Sequence, residues 1–248
     1  MDSARKSALL TGILFIITFV TSIPALALYG PVLNDANYVL GSGADTRVTV
    51  GAFGEVLLAI SGIGTAVVLF PILKRQNEVL ALAYVTARVV ESVIIVVGIV
   101  SVLSVVTLRQ DFAGSTGADA ASFLAAGKAL VAVHKWTFLL GPGLCAGIEN
   151  GLMLGYLMYR TGLVPRPVAV LGLVGGSLAC VAAIAELFGL FAQVSAWSGV
   201  LVFPEAAFEA VFGIWLIVKG FKPAAILADG ARPGLVGEPA TVSEPTAA

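Results

Sequence analysis

Six stretches of the chain stay apolar for about the 20 residues that a helix needs to cross about 30 Å of hydrocarbon. They run from Ala8 to Leu28, Val50 to Leu73, Val79 to Val106, Trp136 to Tyr159, Val168 to Phe191 and Trp197 to Val218. Each predicts a transmembrane helix. The segments between them are polar or turn-forming. Gly30 to Thr49 holds Pro31, Asn34, Asp35, Asn37, Gly41, Gly43 and Asp45, and Lys74 to Glu78 carries no apolar residue. Arg160 to Pro167 contains Pro165 and Pro167. Short connections make consecutive spans antiparallel neighbours. Thr107 to Lys135 is longer and Ala-rich from Asp119 to Val133, which predicts a short interfacial helix before the fourth span. The fold class expected is an all-α integral membrane protein, a six-transmembrane-helix bundle over residues 1–222. Residues 223–248 are small, polar and without apolar periodicity, and are expected to form a disordered cytoplasmic tail. The two halves of three spans share no visible repeat, so a repeat-based transporter fold gains no support.

Composition strengthens this reading. With 58% hydrophobic and 12% charged residues, the chain lies outside the soluble globular range of about 45–50% apolar and about 25% charged. A net charge of -1 excludes a strongly basic nucleic-acid surface. The positive charges instead report orientation. Arg5, Lys6, Lys74, Arg75, Arg160, Arg166, Lys219, Lys222 and Arg232 fall on one side of a six-span bundle, against Arg47, Arg109 and Lys128 on the other. The richer side is expected to be cytoplasmic, with both termini inside. Ala25-Leu26-Ala27 resembles a signal-peptidase site, but its apolar run exceeds the usual 7 to 15 residue signal core, so the first span is expected to be retained. Cys145 and Cys180 fall within spans and form neither a disulfide framework nor a paired metal motif.

Charges inside the spans are the informative exception. Arg88 and Glu91 lie one helical turn apart near the middle of the third span, where an isolated charge costs about 2.5–3.5 kcal/mol on insertion scales. Glu149 and Glu209 fall at similar depth in the fourth and sixth spans, while Glu55, Glu186 and Glu205 lie nearer the outer side. Arg88, Glu91, Glu149, Glu186, Glu205 and Glu209 form the candidate buried polar cluster. One Arg cannot neutralise so many carboxylates. Some must be neutral, or water or a cation reaches them. Gly143, Gly147, Gly151 and Gly155 recur every four residues, a ridge suited to close helix approach, and Glu149 lies about 200° around the helix from Gly147. The fourth span therefore has one packing face and one polar face. Gly141-Pro142-Gly143 is expected to break or kink this helix near its outer end.

Catalytic chemistry finds little support. His134 is the sole histidine, placed with Lys135 before Trp136 at the expected outer surface, so a His-rich zinc site and bis-His haem ligation are excluded. Ser177 lacks the final glycine of a nucleophile elbow. No phosphate-binding Gly-Lys-Ser/Thr motif occurs, and no catalytic residue, metal or cofactor is expected.

Four strings share a resemblance: AYVTARVVES (83–92), HKWTFLLGPG (134–143), GLVPRPVAVLGLVGG (162–176) and FPEAAFEAVFGIWLIVKGF (203–221). Together they resemble the bacterial membrane proteins grouped as domain of unknown function 4386. The resemblance implies a six-span, multi-pass protein of the bacterial cell (inner/plasma) membrane, and it implies no assigned activity. The partner expected is the lipid bilayer, with a small solute or proton as candidate ligand and no nucleic acid. The leading functional expectation is proton- or cation-linked transport of a small solute. The alternative is a non-transporting accessory, lipid-binding or partner-binding membrane protein.

Overall fold

A computed structural model describes residues 3–41, 43–114 and 119–228. Among these residues six helices are long and apolar enough to span a membrane: α1 (Ser3–Leu28), α2 (Asp45–Leu73), α3 (Glu78–Gly114), α4 (Ala120–Thr161), α5 (Arg166–Leu187) and α6 (Ala196–Val218). Each helix packs on the next in sequence, and α1 closes on α6, so the six form a ring. Lys74 to Asn77, Gly162 to Pro165 and the chain after Val218 lie at one end, here the basic end. The loops before α2 and between α5 and α6 lie at the other. Large apolar side chains such as Val20, Phe53, Ile60 and Phe203 point outward, while Arg88, Glu91, Glu149 and Glu205 are buried. That inverted distribution suits a bundle whose solvent is lipid.

Two helices run further than the apolar runs predict. α3 continues to Gly114 and α4 begins at Ala120, so the Ala-rich stretch is the first part of the fourth spanning helix rather than a separate interfacial one. Asp119 starts it, its side chain accepting the Ala121 amide at 3.0 Å. The helical hairpin of α3 and α4 therefore projects beyond the apolar spans. At the same end Arg109 grips the Asp45 carboxylate through Nε at 2.6 Å and also through Nη2, while the Tyr38 hydroxyl donates to Asp45 at 2.8 Å. Burial, with the Asp45 contact, holds the Tyr38 phenol above its ordinary range.

Gly141-Pro142-Gly143 does not interrupt α4. The helix widens into π-helical stretches at Leu139–Cys145 and Gly147–Leu154 before returning to α-helix at Gly155. Proline has no N–H to donate and its ring clashes with the carbonyl four residues back, here Phe138. A wider helix relieves that clash. Most of the predicted tail lies outside the described residues; within them, Ala225–Ala228 makes one helical turn whose Ile226 carbonyl accepts from Arg75 at 3.2 Å.

Two apolar cores hold the ring. One fills the basic end with Phe15, Leu69, Leu73, Leu154, Leu157, Met158, Phe208, Phe212 and Leu216. The other joins Tyr29, Val39, Val48, Ile95, Ile99 and Val102 toward the opposite end, on the side of α1, α2 and α3. Glycines set the remaining seams. A Cβ on Gly151 would collide with Gly176 Cα, and one on Gly147 would lie 3.0 Å from the Gly176 carbonyl oxygen, so α4 and α5 touch backbone to backbone. A Cβ on Gly12 would sit 2.6 Å from the Gly213 carbonyl oxygen, which brings α1 equally close to α6.

Replacing Gly151 with Leu should overfill the α4–α5 seam and lower stability by about 1–3 kcal/mol. Gly199→Ala is the matched control, because a Cβ there meets nothing within 4 Å. It should be neutral or stabilise by about 0.5–1 kcal/mol. Thermal unfolding in detergent distinguishes the two; a Gly151→Leu variant as stable as Gly199→Ala would show that helix propensity rather than close approach sets the effect.

Candidate functional site

Arg88 sits in α3 and is 3% exposed. Its Nη1 donates to Glu91 Oε2 at 2.7 Å, one turn along the same helix, and to Glu149 Oε1 of α4 at 2.6 Å. Nε donates to the Gly62 carbonyl of α2 at 3.3 Å, and Nε and Nη2 reach Thr65 Oγ1 at 3.4 and 3.3 Å. A Cβ on Gly62 would lie 3.6 Å from the guanidinium, an ordinary contact, so the guanidinium packs directly against this turn of α2. The Phe15 ring of α1 lies 5.9 Å from the guanidinium carbon, within cation–π range. Four helices thus converge on one side chain. Arginine suits the position because its planar fork offers five donors and keeps its charge.

A second polar chain begins one turn earlier on α3. Tyr84 donates to Asn150 Oδ1 at 3.4 Å, and Asn150 Nδ2 donates to Glu209 Oε1 at 2.5 Å, tying α3 to α4 and α4 to α6. Glu205, one turn from Glu209, enters a slot left by glycines. A Cβ on Gly151 would lie 2.7 Å from Glu205 Oε2, and one on Gly175 would lie 2.6 Å from the Glu205 amide nitrogen. Neither Glu205 oxygen, nor Glu149 Oε2, has a hydrogen-bond partner among the described residues.

The structure therefore brings Arg88, Glu91 and Glu149 into direct contact and ties Glu209 to Tyr84 through Asn150 in a separate chain. Glu205 is close but wedged into the α4–α5–α6 seam, and Glu186 lies partly exposed at the cavity rim. Glu55 belongs elsewhere, accepting the Tyr29 hydroxyl at 2.8 Å. Tyr84, Thr65 and Asn150 were not singled out by the sequence reading. Their signal was available: Tyr84 precedes Arg88 by one turn, and Asn150 is an uncharged polar residue beside Glu149.

His134 departs from its expected place at the surface. It is 3% exposed, with its ring edge-on to Tyr29 at 5.3 Å and stacked on Phe138 at 6.4 Å. The early start of α4 at Ala120 explains this, since it puts His134 well inside a helix and turns it onto Tyr29, just past the end of α1. The Ser177 hydroxyl donates to the Leu173 carbonyl at 2.8 Å, a local helix bond. Among the described residues no three His, Cys, Asp or Glu side chains group as metal ligands.

A cavity of about 400 Å³ reaches this cluster from the α5–α6 loop. Arg88, Glu91 and Glu209 line its inner part, and Glu186, Gln193 and Ser195 its rim. Between them the wall is mainly apolar or small, with Leu26, Leu139, Pro142, Ala179 and Val202. Next to it lies a vestibule of about 460 Å³ lined by Asn34, Lys135, Trp136 and Phe191. Gln193 borders both spaces and donates to the Lys135 carbonyl at 2.9 Å. Toward the basic end, apolar residues fill the ring.

These features define a polytopic helical membrane protein with a charged cluster at the inner end of a one-sided cavity. The chain belongs to the family described as domain of unknown function (DUF4386), whose profile matches residues 10–220. No curated protein and no solved structure gave a match.

Arg88→Met would leave Glu91 and Glu149 facing each other without their shared cation, and should destabilise the protein by about 3–5 kcal/mol. Adding Glu149→Gln should recover part of that loss by removing one carboxylate charge. Unfolding in mixed micelles measures both; a single variant as stable as wild type would mean that the cluster is dispensable to the fold.

Proposed function

We propose that this protein moves a small solute across the bacterial cell membrane, in exchange or together with a proton or cation. The observation that carries the reading is the cavity that ends on Arg88, Glu91 and Glu209. Ionisable groups at membrane depth mark substrate or ion paths by default, because any other use of them is expensive. Arg88 already serves Glu91 and Glu149, so at the inner end of the cavity Glu209 is the carboxylate left without a cation to meet an arriving cation or proton.

The rest of the ring supports a gated path. Lys and Arg gather at the end closed by Phe15, Phe212 and Leu216, and the positive-inside tendency makes that end cytoplasmic, with both termini inside. The cavity then faces outward. An outward-facing site closed on its inner side is one of the two states that alternating access requires. A non-transporting lipid-binding protein is the second reading, favoured by the apolar cavity wall.

Proteoliposomes with an internal pH-sensitive dye test the choice. On addition of Na⁺, K⁺, ethylamine or choline against a proton gradient, at least one should produce a protein-dependent proton flux. That flux should fall at least tenfold in Glu209→Gln. Fluxes equal to those of empty liposomes for every probe would rule out the transport reading.

A further inference from the structure

The cavity has a side as well as a rim. At the basic end α1 and α6 are joined tightly: Gly12 lies against Gly213, the Phe15 and Phe212 rings stand 5.1 Å apart, and Arg5 donates to the Leu216 and Ile217 carbonyls at 2.8 and 2.6 Å. Further along, the same two helices are lined up across a space. Ser22 and Ile23 of α1 and Gly199 and Val202 of α6 all border the cavity. Ile23 is 59% exposed, and a Cβ on Gly199 would meet nothing within 4 Å. This seam lies within the apolar spans, among outward-facing Val20, Val200 and Phe203. The cavity therefore opens onto lipid between α1 and α6.

The occupant follows from the two ends of that space. Its wall is apolar and continuous with hydrocarbon, which suits an alkyl chain. The ionisable groups facing it are Arg88, Glu91, Glu186 and Glu209, three acids to one base. The base is already engaged by Glu91 and by Glu149 behind it. Glu209 takes one hydrogen bond on Oε1, from Asn150, and the described residues supply none to its other oxygen. An ammonium head has three donors and a positive charge, and answers that surplus. An anionic head would meet more carboxylates than cations. At about 400 Å³ the space is within the about 300–1,000 Å³ typical of small-molecule sites.

We infer that the cavity binds a single-chain alkylammonium amphiphile that enters from the bilayer between α1 and α6, its head against Glu209 and Glu91 and its chain along the seam. This rests on the reading of the cavity as a solute site and names the solute class. Occupancy by such a ligand puts the charge surplus to use without any further protein cation. It also explains why a charged cluster is reached along an apolar wall.

The test uses the full chain in phosphatidylcholine nanodiscs at neutral pH, titrated calorimetrically with octylamine, octanol and octanoate, with empty nanodiscs as reference. Octylamine should bind saturably at one site, and octanol and octanoate at least tenfold more weakly. Glu209→Gln should weaken octylamine at least tenfold, and Gly199→Leu, which adds a side chain in open space, at least fivefold. Thermal unfolding confirms that each variant is folded, and the comparison of the three probes on wild-type protein needs no variant at all. Octylamine that only partitions as into empty nanodiscs, or octanol that binds as tightly, overturns the proposal. So does wild-type binding in Gly199→Leu and Glu209→Gln. Measured beside the proton-flux assay, the two readings separate. Flux without octylamine binding removes the amphiphile and keeps transport, whereas octylamine binding without flux keeps the site and removes transport.

Discussion

One guanidinium shared between two carboxylates is the constraint around which this bundle is arranged. Arg88 meets Glu91 on its own helix and Glu149 on α4, and its remaining donors reach Gly62 and Thr65 on α2. Removing charge from water at membrane depth costs several kcal/mol unless the partners are close and well oriented. That requirement fixes the rotation of α2, α3 and α4 about their axes. Polar contacts continue along the same seam: the Gly62 carbonyl accepts from Arg88, and Ser92 donates to the Ala59 carbonyl at 3.1 Å where α2 and α3 meet. The apolar cores then form on either side of the cluster rather than through it.

The other half of the ring obeys a different rule. α4, α5 and α6 meet through glycines, with Gly151 on Gly176 and Gly175 on Glu205. Backbone contact of this kind leaves little room for side chains in the seam, and Glu205 occupies what room there is. The same tight seam holds Glu209 where it can take the Asn150 amide and still border the cavity. Packing without side chains on one side and a cavity beside it are two consequences of one choice of residues. The result is a ring that is filled at the basic end and hollow toward the other, with charge at the boundary.

The spans were legible because lipid demands long apolar runs, and the i, i+3 relation of Arg88 to Glu91 was legible because it lies within one helix. Where a run ended in charge, legibility stopped: Arg109, Lys128 and Lys135 mark the limit of lipid, whereas α3 and α4 continue as helix past them. His134 was misplaced for that reason. The π-helical path around Pro142 was also hidden, since proline announces that an α-helical bond is lost without saying whether the chain bends or widens. Which carboxylate joins Arg88 and Glu91 depends on how neighbouring helices are rotated. The glycine ridge turned Gly147 and Gly151 toward α5 and so turned Glu149 toward Arg88, while Glu209 was left to Asn150. A polar face could be read from sequence, but its partner on another helix could not.

That water reaches the Arg88 cluster through the cavity from one face of the membrane only is tested most directly by thiol accessibility in a Cys145→Ala/Cys180→Ala background. Ala146→Cys and Ser198→Cys place thiols on the cavity wall, and Leu69→Cys places one in the core of the basic end. A charged, membrane-impermeant methanethiosulfonate is added to oriented vesicles from each side in turn. Modification of Ala146→Cys and Ser198→Cys from the α5–α6 loop side alone, with Leu69→Cys protected from both, is the expected result. An unreactive Ala146→Cys, or equal modification from both sides, would contradict a one-sided cavity reaching the cluster.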